Sequence, residues 1–242
     1  MNQTIQQLKD RKSVRVFTDK PIPEQEVSAI LEAAVNAPTA GNQQLYTIIQ
    51  VTRQDLKERL AESCDHQPFI AQAPLVLVFC ADCRKWYHAF REYGCEPRKP
   101  GVGDLMLAVS DTNIAAQNAV VAAHSLGIGS CYLGDIMENA EVQREILSLP
   151  QYVFPAAMLV FGYPTAQQLE RPKPQRADLR HIVHENGYRD MDKEELGQML
   201  FKNTGERSFE DWIRAFCNRK YNSDFSREMT RSVNVFLEDF KD

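Results

Sequence analysis

No stretch of this chain approaches the ~20 consecutive apolar residues that a membrane-spanning helix needs, so no segment is expected to cross a bilayer. The opening MNQTIQQLKDRK also lacks the apolar core of a secretion signal. Positive charge is not in excess. The 28 Lys and Arg stand against 33 Asp and Glu, a formal net charge of −5, which gives nucleic-acid binding no global electrostatic support. Internal repeats and low-complexity segments are missing. So is a disulfide context: six cysteines without an export signal read as reduced thiols of a cytoplasmic protein. What is there is ordinary for a globular chain. The 242 residues, 43% hydrophobic and 25% charged, suffice for one large domain or two small ones with a sizeable core.

The stretch from Leu105 to Leu126 has neither Pro nor Gly, and Asp111 is its one formally charged residue. Apolar or small residues fall on nearly every helical face, including Leu105, Ala108, Ile114, Ala115, Ala119, Val120 and Ala123. An amphipathic surface helix would show a stripe and a charged back, so this one is expected to be buried in a core or a subunit seam. Gly127 is a natural residue to stop it. The residues that follow, Ile128 to Tyr132, are then expected to bring flexible backbone to the surface, where N–H groups could face a ligand; an ordinary turn into a strand reads equally well.

Several shorter segments carry candidate chemistry. In Arg11-Lys12-Ser13-Val14-Arg15-Val16-Phe17, extended alternation puts Arg11, Ser13 and Arg15 on one side. Two guanidiniums around a hydroxyl suit a phosphate or an electron-rich oxygen, and a solvated basic turn looks the same. Helix-period apolar residues Val27, Ile30, Leu31 and Ala34 lead to Pro38, after which Thr39, Ala40, Gly41, Asn42, Gln43 and Gln44 form a polar loop before a strand, Tyr46 to Val51. Amides there could pair with the edge of a heterocycle. Gln54 to Ser63 reads as a surface helix, and Leu75 to Cys80 as a strand buried on both faces. Cys80 and Cys83 form a single C-x-x-C. Without a second one or a spaced His pair it reads as two thiols at a strand end, with Cys95 and His88 the further ligands a metal site would need. Gly94 to Gly101 is a loop long enough to cover a pocket. A helix near Glu141 to Leu147 precedes a strand, Ala156 to Tyr163, and Arg171, Lys173 and Arg176 then stand among prolines that would hold them extended toward an anion. Lys193 to Phe201, Ser208 to Cys217 and Phe225 to Phe240 read as amphipathic helices, a C-terminal extension (191–242) of the domain formed by 1–190.

Taken in order, these motifs resemble the flavin-dependent nitroreductase family, in its branch of NADPH nitroreductases and flavin reductases with a C-terminal extension. The resemblance rests on Arg11 to Arg15, Ala37 to Gln44, His66-Gln67, Leu126 to Gly134 and Arg171 to Arg176, with Ile182 to Tyr188 in support. It implies an α+β fold with a central antiparallel or mixed sheet flanked by helices, in a domain-swapped homodimer with the long central helix at the seam. It also implies noncovalent FMN between subunits, with NAD(P)H as co-substrate. Carried over by position, Arg11, Lys12, Ser13, Arg171, Lys173 and Arg176 would hold the phosphate side of FMN, and Arg15 would approach N1 and O2 of the ring. Pro38, Thr39, Ala40 and Asn42 would reach it from the other subunit. Gln67 would bond the ring edge, and the backbone of Ile128, Gly129, Ser130 and Cys131 would lie near N5 and O4. Arg219 and Lys220 are candidates for the 2′-phosphate of NADPH. The implied reaction is a ping-pong hydride transfer from NAD(P)H to nitroaromatics, quinones or free flavins, with no side chain needed as nucleophile or base. Two other readings stay open at the level of sequence: an FMN-binding sensor or storage protein, and a metal protein built on Cys80 and Cys83.

Overall fold

The computed structural model describes residues 2–200 and 207–241. Its helices are α1 (Gln3–Asp10), α2 (Glu24–Val35), α3 (Gln54–Ser63), α4 (Phe69–Gln72), α5 (Arg84–Glu92), α6 (Val102–Ser125), α7 (Ala140–Leu147), α8 (Ala166–Glu170), α9 (Lys193–Leu200), α10 (Phe209–Lys220) and α11 (Asp224–Leu237). The strands are β1 (Tyr46–Gln50), β2 (Leu75–Asp82), β3 (Gly129–Leu133) and β4 (Val153–Gly162). Phe201, the expected end of the helix that begins at Lys193, lies outside the described residues. The chain divides into two compact units, residues 1–171 with 228–242, and residues 172–227.

The first unit is built on a sheet of order β1-β2-β4-β3 with every pairing antiparallel. Strands β2 and β4 are central and buried along their whole length, as their uninterrupted apolar runs require. Pro155 sits inside β4 without a ladder N–H to give. The register slips there: Phe79 faces Ala157, whereas Cys80 faces Pro155, and this bulge makes room for the proline.

Side chains alternate between two cores. On one face Leu75, Leu77, Phe79, Leu159 and Phe161 pack under α2 and α6. The α6 contribution is mostly alanine (Ala115, Ala116, Ala119, Ala123), and these short side chains let the helix lie close on the sheet. On the other face Val76, Val78, Met158 and Val160 pack with residues that include Phe236 and Phe240 of the C-terminal segment. Phe236 meets Phe154 edge to face at 5.2 Å, so the apolar face of the last helix is satisfied by the core.

Helix α6 is covered on one face only. Leu105, Ala108, Asp111, Thr112, Ala115, Ala116, Ala119, Val120 and Ala123 are buried, but Val102, Met106, Leu107 and Ile114 are exposed. Within one chain the helix is therefore half-covered, with an apolar stripe facing out.

The second unit contains α9 and α10. Ser208 caps α10, its hydroxyl accepting the Asp211 N–H at 3.1 Å, and Trp212 stacks between Phe209 and Phe216.

Candidate functional site

The first cluster forms where α6 ends. Gly127 takes φ +77°, the left-handed turn that residues with a side chain rarely adopt, and the Ile128 N–H returns to the Ala123 carbonyl at 2.9 Å. The chain then enters β3 directly. Ile128, Gly129, Ser130 and Cys131 are buried, the last three of them in β3, so of the two readings the sequence left open the turn into a strand is the one found, and the flexible surface backbone is not. The reason is tertiary. The Ser13 segment pairs in parallel with this edge strand at Ser130, and the Val14 N–H donates to the Ser130 carbonyl at 2.9 Å. A Cβ on Gly129 would stand 2.7 Å from Val14 Cγ2, so only glycine allows this approach.

The pairing brings several expected ligands together. The Lys12 ammonium donates to the carbonyl of Leu169 at 2.6 Å and to that of Arg171, while the Arg171 guanidinium donates to the Ser13 carbonyl. Lys12 is thus a strut between two segments, and the Arg15 N–H is held by Gln168 Oε1 at 3.2 Å. A cavity of about 110 Å³ lies beside Arg11, Lys12, His124, Gly129 and Ser130. The field is positive here. Burial pushes the Cys131 thiol up, and Arg15, the Ser13 hydroxyl and Arg11 pull against it; burial likewise pushes Tyr132 up to about 12 against Arg11.

The second cluster is the loop after α2. Thr39 is half-buried and its hydroxyl donates to Asp111 Oδ2. The Ala40 N–H donates to Asp111 Oδ1 at 3.1 Å, and the Leu45 N–H to Oδ2 at 3.4 Å. Thr39 Oγ1 in turn accepts the Gln44 N–H at 2.8 Å. Asn42 and Gln44 are held at φ +57° and +51°, a left-handed backbone that persists only where surrounding contacts over-determine it. Pro38 and Asn42 themselves are exposed. Sequence reasoning noted Asp111 as a lone charge but gave it no role; a single carboxylate in the otherwise uncharged stretch from Leu105 to Leu126 was the available signal.

Gln67 follows two left-handed residues, Asp65 and His66, and its side-chain amide donates to the Cys64 carbonyl and to Asp135 Oδ2, both at 2.9 Å.

A larger cavity of about 290 Å³ adjoins the Thr39 loop. Its walls include Trp86, Tyr87 and Phe90 of α5, with Gln43, Leu45 and Leu107. The Trp86 indole N–H donates to the Gln43 carbonyl at 2.7 Å. Pro97, Arg98 and Pro100 contribute too, so the 94–101 loop does border a pocket. Arg98 is paired with Asp104 through two hydrogen bonds, one of them 2.9 Å, and holds that carboxyl below its usual range. Sequence reasoning missed the aromatic trio, although W-Y-x-x-F placed it on one turn of helix.

Lys173, Arg176, Arg219 and Lys220 belong to the second unit. Arg219 lies over the Phe216 ring at 5.3 Å and Lys220 over Phe225 at 5.8 Å, both exposed at the end of α10. The structure offers the metal reading no support. Cys80 and Cys83 are buried thiols pushed up to about 12, chiefly by burial, and among the described residues no group of three His, Cys, Asp or Glu could hold an ion.

Comparison with known proteins gives a consistent result. The profile described as Nitroreductase family matches residues 8–163. The chain is 30% identical over 242 residues to an FMN reductase [NAD(P)H] of Bacillus subtilis, covering 98% of this chain and 92% of that one. It is 35% identical over 199 residues to an oxygen-insensitive NADPH nitroreductase of Salmonella typhimurium, covering 82% and 80%. The solved structure of the NfrA1 nitroreductase from B. subtilis superposes with a TM-score of 0.80 at 27% identity, over 93% of this chain and 98% of that one.

Proposed function

This chain belongs to the nitroreductase family, and from that premise we propose that it is an FMN-dependent oxidoreductase that uses NAD(P)H to reduce nitroaromatics, quinones or free flavins. The observation that carries the reading is the Ser13 segment beside β3, where Arg11 and Lys12 line a cavity with Gly127 and Gly129 and the Arg171 guanidinium ties down the Ser13 carbonyl. The donor set fits the cofactor. A dianionic phosphate needs charged donors, and an electron-accepting ring needs positive charge nearby. The flavin, when bound, takes hydride from NAD(P)H and passes electrons to the acceptor.

The protein's own residues bind, orient and shield. Arg11, Ser13 and Arg171 would hold the phosphate, with Lys12 bracing the segment that presents them. Arg15 would face the ring edge where negative charge grows on reduction, stabilising it by placed charge. Gln67, oriented by Asp135 and Cys64, would meet the same ring, and the Gly129–Cys131 backbone would pass beside it. Pro38, Thr39, Ala40 and Asn42 would come from a second subunit, and the aromatic cavity would seat the acceptor away from water. Lys173 and Arg176 for the phosphate, and Arg219 and Lys220 for NADPH, rest on resemblance to the relatives. The second subunit is supported by the exposed stripe Val102, Met106, Leu107 and Ile114 along α6, with Ile5 and Leu8 of α1 also exposed. A cytoplasmic location accords with the co-substrate and with six unpaired thiols.

The absorption spectrum of the purified protein tests this first, followed by NADH and NADPH turnover with a quinone. A yellow protein that oxidises one or both nucleotides is expected; a protein that stays colourless after incubation with FMN overturns the reading. Arg11→Ala with Arg15→Ala should purify colourless, and stoichiometric FMN in that variant would refute the assigned roles.

A further inference from the structure

Among the described residues, the Asp111 carboxylate of α6 hydrogen-bonds to one part of the molecule, and that part faces two ways. Asp111 is 3% exposed, and its carboxylate accepts from Thr39, Ala40 and Leu45, clamping both ends of a seven-residue turn. Between those ends the turn is tied once more, where the Gln43 carbonyl accepts the Trp86 indole N–H. Thr39, Ala40 and Asn42 belong to the edge assigned above to flavin, whereas Gln43 and Leu45 line the 290 Å³ cavity. One wall therefore serves both spaces.

The cavity's chemistry restricts its occupant. Trp86, Tyr87, Phe90, Leu45 and Leu107 offer rings and aliphatic surface. The Cys83 thiol there is neutral, and the Arg98 charge is matched by Asp104. A charged ligand would lose hydration without an unmatched counter-charge, so the lining favours an uncharged planar molecule of one or two rings.

We infer that Asp111 is a positioning residue that presents a single loop to two ligands, the flavin through Thr39–Asn42 and a neutral planar acceptor through Gln43 and Leu45. This rests on the flavin reading above. A carboxylate is required because it accepts from several donors at once; an amide offers one acceptor and turns an NH₂ on the remaining donors.

Three substitutions separate the parts. Asp111→Asn and Thr39→Val should each weaken FMN binding about tenfold or more by leaving buried donors unpaired, read as fluorescence of released FMN, while Thr39→Ser should stay within about twofold. Asp111→Asn should also raise the KM for menadione, with kcat at saturating FMN little changed. Trp86→Phe removes the tie to Gln43 but keeps a ring. It should raise the menadione KM about fivefold while FMN affinity and the KM for ferricyanide, a charged acceptor that needs no ring pocket, hold steady. Thr112→Ala is the control for a purely structural effect. Its hydroxyl, buried one residue along, donates to the Ala108 carbonyl of its own helix, so the substitution should lower stability and leave FMN affinity intact. Unchanged FMN affinity in both Asp111→Asn and Thr39→Val, or an unchanged menadione KM in Trp86→Phe, overturns the inference while wild-type flavin binding stands. A wild-type protein that takes up no FMN overturns the functional reading itself.

Discussion

At the scale of single residues, the informative groups are charges placed where sequence cannot show the surroundings. Glu138 is one of them. It is buried, and its Oε1 has no hydrogen-bond partner among the described residues. Burial pushes its carboxyl up to about 7, and the nearby carboxylates of Asp135, Asp65 and Glu228 push the same way. A folded-state value above the unfolded one means that the native protein holds the extra proton. The stabilising contribution is therefore complete below about 4.5 and lost as pH rises through about 7. Glu228 works in the opposite sense. Arg231 and Ser232 hold it at about 2, so its contribution is present above the ordinary carboxyl range and lost toward pH 2. We expect the wild-type Tm to fall between about pH 4.5 and 7, and Glu138→Gln to flatten that fall and raise the Tm at pH 8. Differential scanning fluorimetry across the range checks it, and parallel Tm profiles would remove Glu138 from the explanation. Asp111 and Glu138 stand in the sequence as ordinary acids; only burial and their neighbours separate them from the rest.

At the scale of elements, the candidate site depends on a segment lying beside a strand at van der Waals distance. Gly129→Ala would drive a methyl to 2.7 Å from Val14 Cγ2, with Val14 Cβ at 2.8 Å behind it. Something must move, and overpacking of this kind costs about 1–3 kcal/mol. The expected result is a lower Tm together with weakened flavin uptake, since the displaced segment carries Arg11, Ser13 and Arg15. Gly134→Ala is the control, because a Cβ there meets only the flexible end of Met137 at 3.7 Å. Equal behaviour of the two variants in thermal denaturation would show that the contact is not tight. The elements themselves were largely legible. The helix over 54–63 and the buried strand from Leu75 followed from periodicity, and α6 from its uninterrupted run without Pro or Gly. The β3 segment stays ambiguous between a flexible glycine turn and a strand until the Ser13 segment is set beside it, a contact between positions more than a hundred residues apart.

At the scale of the whole molecule, one chain leaves apolar surface uncovered. Met106 is 61% exposed and Ile114 is 41%, on the helix whose opposite face seals the sheet. A contiguous stripe of this kind marks an association surface. If the dimer proposed above forms through this stripe, Met106→Glu with Ile114→Glu should give a monomer in sedimentation analysis. Because the Thr39 loop is proposed to reach the flavin of a second subunit, the same variant should lose FMN. A monomeric variant that keeps its full complement of FMN would place the cofactor within one chain.

The sequence by itself determined the classes of structure and chemistry. Apolar periodicity and apolar runs laid down the helices and buried strands, and the order of basic, amide and glycine motifs carried the resemblance to a flavin-dependent family, because these are local or linear properties of a chain. Tertiary structure decided which groups act together. Lys12 became a strut, Asp111 a clamp on a loop some seventy residues away, and three α5 rings the wall of a cavity, because a side chain's partners are set by packing between distant segments rather than by its neighbours in sequence.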